Sequence, residues 1–159
     1  MGLSGDFPNI MKTVAESVMA GDGARFAALF TEDAVYHDVF YGSFRGREAI
    51  RDMLENRFHR DAANFRWDFR DPVSDGETGY ARYVFSYDSR LPDAAGRRGL
   101  FEGVSIVRLA DGLIRDYREV ANVGPGLARL GFAPERLEKV MARMARDLAN
   151  SDEAAGHGG

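Results

Sequence analysis

The sequence predicts an α+β fold in which N-terminal helices pack on a curved, mostly antiparallel sheet, with an extra C-terminal helix. Apolar residues recur at helical spacing in the first third of the chain and again near its end. From Asn64 the period changes to two, as in half-buried strands. The dipeptide Asp111-Gly112 between two apolar runs is a tight-hairpin signal. These observations predict helices first and a meander of strands afterwards.

Three helices and one strand are predicted in the first 60 residues. Asp6 and Pro8 mark the start of the first helix, and Gly21 with Gly23 ends it. The run after Gly23 predicts a short second helix, while aromatic and β-branched residues before Gly42 predict a strand. The second helix, the strand and the third helix are expected at 24–30, 35–41 and 47–59.

Four strands and one helix are predicted in the rest of the chain. The strands are expected at 65–70, 80–87, 100–109 and 113–123, and their short connections indicate an antiparallel meander. Pro134 suits the first turn of a final helix. Its apolar stripe consists of Leu137, Val140, Met141, Met144 and Leu148. One domain is expected over 1–150, followed by a disordered tail over 151–159.

The composition argues against several classes of function. The 159-residue chain has a formal net charge of −4 and no basic stripe, so nucleic-acid binding is not expected. It contains no cysteine, which removes disulfides, thiolate catalysis and sulfur-ligated zinc. The N-terminal residues lack a signal-peptide pattern and no apolar run is long enough to cross a bilayer. A cytoplasmic protein without membrane contact is therefore expected.

The dyad His37-Asp38 is the most unusual feature of the predicted strand. Side chains alternate between strand faces, so the two residues cannot share a face. If Asp38 faces inward with Tyr36, the apolar surroundings raise the pKa of its carboxyl, which suits a general base. The alternative is a carboxylate that accepts backbone hydrogen bonds at the turn before Gly42. His37 on the outer face is expected to be structural or a dimer contact more often than catalytic.

A second candidate carboxylate, Glu119, lies on the last predicted strand. It shares a face with Tyr117, so a hydroxyl and a carboxylate can converge there. The alternative is a surface ion pair between Glu119 and a neighbouring arginine. Alternation places Phe65, Trp67 and Phe69 on one face of their strand, either as the wall of a ligand cavity or as simple core. The histidines lack metal-ligand spacing, so neither a metal site nor a cofactor is predicted.

Two runs of the sequence resemble SnoaL-like proteins of the nuclear transport factor 2-like superfamily. They are AGDGARFAALFTEDAVYHDVFYGSFRGREAIRDML and EGVSIVRLADGLIRDYREVANV, and the resemblance covers most of residues 9–123. It implies a nuclear transport factor 2-like (cystatin-like) cone that is partly hollow. The superfamily includes ketosteroid isomerase, limonene-epoxide hydrolase, scytalone dehydratase and binding domains without chemistry, so the reaction must be argued from the site.

The resemblance also implies roles for particular residues. Asp38 falls where ketosteroid isomerase carries its general base, while Val14 and Ser105 fall at or near the isomerase's oxyanion-hole tyrosine and acid. Glu119 matches a catalytic aspartate of limonene-epoxide hydrolase, with a longer side chain here. The catalytic candidates are Asp38, Glu119 and Tyr117. The candidates for substrate contact are Val14, Tyr36, Tyr41, Phe65, Trp67, Phe69, Phe101 and Ser105.

Three functions are compatible with these residues. The first is a cofactor-independent isomerase or polyketide cyclase, in which Asp38 removes a proton next to a carbonyl of a small apolar or aromatic metabolite. The second is a non-catalytic module that binds such a metabolite. The third is an epoxide-hydrolase-like enzyme in which Glu119 activates water.

A homodimer is expected through the outer face of the sheet. On the strand at 100–109, Val104 and Ile106 point away from Phe101 and Ser105, and apolar residues are unfavourable in water. Glu102 and Arg108 would form the polar rim of a self-complementary patch. The alternative is a monomer in which the final helix folds back over this face.

Overall fold

A six-stranded curved sheet forms the centre of the computed structural model, which describes residues 6–158. The strands are β1 (Phe30–Asp38), β2 (Gly42–Arg45), β3 (Ala62–Ser74), β4 (Thr78–Ser89), β5 (Arg98–Ala110) and β6 (Leu113–Asn122). The helices are α1 (Phe7–Ala20), α2 (Gly23–Ala27), α3 (Arg47–Met53), α4 (His59–Asp61), α5 (Gly124–Arg129) and α6 (Pro134–Ala149). A π-helical segment, Leu54–Phe58, joins α3 to α4. The predicted α+β class is confirmed.

The sheet order is β2-β1-β6-β5-β4-β3. Strands β3 to β6 form the predicted antiparallel meander. Asp111 and Gly112, between β5 and β6, have φ angles of 52° and 79°. Positive φ at both positions is what a two-residue type I′ hairpin requires. The first strand then joins β6 in parallel, with Tyr36 opposite Tyr117, so residues from the two ends of the domain meet in adjacent strands.

The core forms where α1 packs across the inner face of β3. The buried residues of α1 recur every three or four positions, which places them on one side of the helix. They are Phe7, Ile10, Met11, Val14, Ala15 and Val18. The α1 stripe therefore supplies one wall of the interior.

Three local features differ from the sequence prediction. Helix α2 ends at Ala27, so Phe30 opens β1 instead of closing a helix. Strand β1 ends at Asp38, because the carboxylate of Asp38 accepts the backbone N–H groups of Phe40 and Tyr41 and holds them in a turn. The short edge strand β2 was not predicted, since its four residues are too few for a recognisable alternation.

The C-terminal part begins with α5, a short helix that was not predicted. Helix α6 starts at Pro134 as expected. Its residues Leu137, Val140 and Met144 pack on a second apolar cluster, formed by Ala94, Phe101, Val123, Leu127 and Leu130. The tail contains a 3₁₀ turn at Asp152–Ala154. Within residues 6–158, no helix is long and apolar enough to span a membrane.

Candidate active site

A cavity of about 280 Å³ lies between the inner face of the sheet and helices α5 and α6. That volume is close to the lower end of the range, about 300 Å³, seen for small-molecule sites. Aromatic side chains are the largest group in its wall, and its polar residues are few. The aromatic lining residues are Tyr36, Phe40, Tyr41, Phe58, Phe65, Trp67, Tyr83, Phe85, Tyr87, Phe101 and Phe132. The carboxylates on the wall are Asp38, Asp61 and Glu119.

Asp38 reaches the cavity from the last position of β1. Its Oδ2 accepts hydrogen bonds from the backbone N–H groups of Phe40 and Tyr41, both at 2.8 Å. Burial raises the pKa of the Asp38 carboxyl, while those two hydrogen bonds and the cationic Arg143 oppose the rise. Both sequence interpretations of Asp38 therefore describe the same residue: a turn-capping carboxylate that also lines the cavity.

Glu119 reaches the same cavity from β6. Tyr36 and Tyr117 are directly opposite in the parallel pair β1–β6, and the residues two positions further along each strand point to the same face and both line the cavity. Those residues are Asp38 and Glu119. Burial raises the pKa of Glu119 to about 7, and the negative charge of Asp38 adds to the increase. Two carboxyl groups with raised pKa values thus share one apolar site.

Two tyrosine hydroxyls hold Glu119 in place. Tyr83 Oη donates to Glu119 Oε2 at 2.7 Å, and Tyr117 Oη donates to Glu119 Oε1 at 3.0 Å. The Tyr117 hydroxyl also lies 2.6 Å from the buried Ser105 hydroxyl. Both hydroxyls favour the ionised form of Glu119 and partly offset the effect of burial on its pKa.

Tyr36 presents an available hydroxyl. Its ring stacks on that of Tyr117, with centroids 4.6 Å apart. Within residues 6–158, the Tyr36 hydroxyl has no hydrogen-bond partner, whereas Tyr41 donates its own to Asp61 at 2.6 Å. Burial and the nearby Glu119 and Asp38 raise the pKa of Tyr36 well above its usual value. Tyr36 therefore remains protonated and can donate to a ligand.

His37 points to the opposite face of the sheet. Its Nδ1 lies 2.8 Å from the Ser43 hydroxyl, and its Nε2 lies 2.9 Å from Asp116 Oδ2. These contacts join β2, β1 and β6. The dyad is therefore divided between the two faces, as strand alternation predicts.

The remaining predicted residues separate into two groups. Tyr36, Tyr41, Phe65, Trp67 and Phe101 line the cavity. The others lie behind its wall: Val14 is in the core with α1, Phe69 packs beside Trp67, and Ser105 and Tyr117 form a buried pair. Tyr117 thus does not line the cavity itself, but its hydroxyl donates a hydrogen bond to Glu119, which does.

Two important residues were not predicted from sequence. Tyr83 lies in the aromatic run of β4, where it has no feature that separates it from its neighbours. Arg143 lies in the second half of α6, among the charged residues of an amphipathic helix, where nothing in the sequence separates it from Arg146. In the part of the chain that the structure describes, no cluster of His, Asp and Glu is suited to a metal ion.

The family follows from the sequence itself. The SnoaL-like domain profile matches residues 12–117, which is about two thirds of the chain. The chain belongs to the SnoaL-like family. A comparison with curated proteins finds no match.

Solved structures with the same fold carry several different descriptions. One is a hypothetical protein with a ketosteroid isomerase-like fold from Catenulispora acidiphila, solved in complex with trimethylamine. Its TM-score is 0.72, and it is 18% identical over an alignment that covers 80% of this chain and 96% of that protein. A candidate polyketide cyclase from Xanthomonas campestris has a TM-score of 0.66 and 23% identity, over 80% of this chain and 98% of that protein. An M. tuberculosis LEH-like epoxide hydrolase has a TM-score of 0.67 and 16% identity, over 88% of this chain and 98% of that protein.

These similarities support the fold but not a particular reaction. Identities below 25% leave the site residues of this SnoaL-like chain to be interpreted from their own geometry. That geometry combines a partly enclosed aromatic cavity, two adjacent carboxyl groups and a free tyrosine hydroxyl.

Proposed function

We propose that this SnoaL-like protein is a cofactor-independent enzyme that transfers a proton on a small, apolar carbonyl compound, as an isomerase or a polyketide-type cyclase does. The observation that supports this best is the adjacent placement of Asp38 and Glu119 in an aromatic cavity. Burial raises the pKa of both carboxyl groups, that of Glu119 to about 7, and a pKa close to the working pH suits a general acid or base.

In this mechanism Asp38 is the base. It takes a proton from the carbon next to the carbonyl, and the electron pair of the C–H bond moves into the carbonyl to form an enolate. The Tyr36 hydroxyl donates a hydrogen bond to the enolate oxygen. For isomerisation, Asp38 returns the proton to a different carbon.

A cyclisation would use the same enolate differently. The enolate carbon attacks a second carbonyl of the same molecule, a C–C bond forms, and the second carbonyl oxygen becomes an alkoxide. Glu119, with a pKa of about 7, holds a proton at and below neutral pH and donates it to that oxygen. Asp38 keeps the proton removed in the first step until solvent takes it.

Hydrogen–deuterium exchange tests the assignment of the base. The probe is 2-tetralone, a ketone with a fused aromatic ring. In D₂O, the replacement of its α-hydrogens by deuterium can be followed by NMR. We expect the wild-type protein to accelerate exchange, and Asp38→Asn to reduce the accelerated rate by at least about 100-fold. Asp71→Asn, at an exposed position outside the cavity, is the matched control. An Asp38→Asn variant with the wild-type rate would contradict the role of Asp38.

The same experiment separates the alternative functions. A non-catalytic binding module would bind 2-tetralone saturably without accelerating exchange. An epoxide-hydrolase-like enzyme would hydrolyse an aryl epoxide such as styrene oxide, losing that activity in Glu119→Gln and keeping it in Asp38→Asn.

We also propose that the protein forms a homodimer through the outer face of the sheet. Strand register places Val104 opposite Val120, and Val84 and Val120 are 40% and 67% exposed. Helix α6 packs at the cavity, so it does not provide the cover for this face that a monomer would need. A second copy would bury these side chains in a two-fold contact.

A further inference from the structure

Helix α6 adds a cationic wall to the cavity. It lies outside residues 12–117, the region that the family profile matches. Val140 contributes an apolar contact to the lining, and Arg136 and Arg143 contribute guanidinium groups. The cavity therefore carries cations as well as the carboxyl groups of Asp38 and Glu119.

The two arginines differ in how their charge is used. The Arg136 guanidinium lies over the Phe132 ring at 3.9 Å and is 3.6 Å from Asp93. Arg143 Nη2 donates to the carbonyl oxygen of Val39 at 3.0 Å, and its Nη1 donates to that of Phe40 at 3.3 Å. No carboxylate of the described residues forms a salt bridge with Arg143.

Arg143 also keeps one donor unused. Its Nε is buried and has no hydrogen-bond partner within residues 6–158. A buried guanidinium N–H without an acceptor is unfavourable, and natural structures rarely leave one except for a reason. Arg143 lines the cavity and its charge has no carboxylate partner among the described residues, so an anionic group of a bound molecule can provide one.

We propose that Arg143 is the recognition residue for an anionic oxygen, and that the natural ligand is an aromatic carbonyl compound whose otherwise apolar framework bears a carboxylate or an acidic enol. This assignment rests on the proposed function in that it concerns the same cavity. Arg143 holds the carbonyls of Val39 and Phe40, the two residues that follow Asp38. An anionic oxygen bound there would hold the ligand close to the base.

The chemistry of the wall favours this class of ligand over others. At Arg143, a fully apolar ligand would leave the guanidinium charge without an anionic partner, and a cationic group of a ligand would be repelled there. An aromatic acid satisfies both the stacked aromatic lining and the cation. The positive charge of Arg143 lowers the pKa of Asp38. The negative charge of a bound aromatic acid would offset this effect, so Asp38 becomes a stronger base when the ligand is bound.

A matched pair of probes tests the proposal without requiring turnover. 2-Naphthoate and 2-naphthamide have nearly the same shape, but only the first is anionic at pH 7.5. By calorimetry we expect wild-type protein to bind naphthoate at least about tenfold more tightly than naphthamide. In Arg143→Gln, naphthoate affinity should fall about tenfold while naphthamide affinity changes less than twofold. Arg143→Lys, which keeps the charge, should retain part of the preference.

The controls separate recognition from a structural role. Arg146→Gln removes an exposed cation from the same helix, and it should leave both affinities unchanged. If Arg143→Gln and Arg143→Lys weaken both probes equally, Arg143 only secures the loop after Asp38 and the proposal is wrong. A wild-type protein that does not prefer naphthoate also overturns it.

Failure of this proposal is distinguishable from failure of the proposed function. Asp38-dependent exchange of 2-tetralone without a preference for naphthoate would overturn the role of Arg143 and leave the proton-transfer function intact. A preference for naphthoate that requires Arg143, without any exchange, would support recognition by Arg143 in a protein that only binds.

Discussion

The Tyr83 hydroxyl donates a 2.7 Å hydrogen bond to Glu119 over Gly103, which lies on the intervening strand β5. A Cβ at Gly103 would lie 2.6 Å from the Tyr83 hydroxyl and 2.7 Å from the carbonyl oxygen of Val120. Such contacts are too close for any side chain. The tyrosine can therefore cross β5 only because this residue is a glycine.

Gly103→Ala should therefore damage the site without removing any of its functional groups. The methyl group displaces the Tyr83 hydroxyl from Glu119 and so disturbs the carboxyl group that interacts electrostatically with the base Asp38. We therefore expect ketone exchange to slow by about ten- to a hundredfold. The lost hydrogen bond had lowered the pKa of Glu119, so that pKa should rise further. Gly124→Ala, where an added Cβ meets no atom within 4 Å, is the control and should retain wild-type exchange.

The stability of the protein should decrease as pH rises towards neutrality. The pKa of Glu119 is about 7 in the folded protein and about 4.5 in the unfolded chain, so the folded state keeps a proton that the unfolded state has released. The stabilisation is complete below about pH 4.5 and is lost by about pH 7, with a total on the order of 3 kcal/mol. Asp38 contributes in the same direction.

Urea denaturation at several pH values, on wild type and Glu119→Gln, measures this effect. The glutamine cannot titrate, so the variant should show a smaller decrease between pH 5 and 7. Parallel curves for the two proteins would mean that Glu119 has an ordinary pKa, and its assignment as an acid near neutrality would then be wrong.

Tyr36→Phe should separate activity from stability. Because the Tyr36 hydroxyl has no protein partner within the described residues, its removal should change the free energy of unfolding by less than about 0.5 kcal/mol. Exchange should slow by about a hundredfold, since the enolate oxygen loses its donor. Tyr117→Phe makes the same chemical change at a bonded hydroxyl, and should cost about 1–3 kcal/mol of stability. Equal effects of the two variants on unfolding would contradict this distinction.

The proposed dimer can be tested on its outer face. Sedimentation at micromolar concentration should give twice the 17.6 kDa chain mass, and Val120→Glu should yield a monomer because a charge is introduced into the apolar contact. Val73→Glu makes the same substitution at a similarly exposed position, 62% against 67%, on the edge strand β3. It should remain dimeric, and a wild-type monomer would refute the interface.

Strand periodicity and the resemblance to SnoaL-like proteins were sufficient to predict the meander, the hairpin and the division of His37 from Asp38. Neither predicts which strand lies beside β1, because pairing between distant segments depends on the packing of the whole chain. The adjacency of Asp38 and Glu119 follows from that pairing, so it could not be read from the sequence. Arg143 was missed for a different reason: its role depends on the position of α6 over the cavity.

The parallel pairing of β1 with β6 also has a consequence for how the protein folds. His37 and Asp116, which bond across this pair, are 79 residues apart in the chain. Closing so long a loop is entropically expensive and slows folding. During synthesis β1 emerges long before its neighbour, and its inner edge stays unpaired until the hairpin at Asp111-Gly112 is complete. The two acids are thus brought together by the strand that is synthesised last.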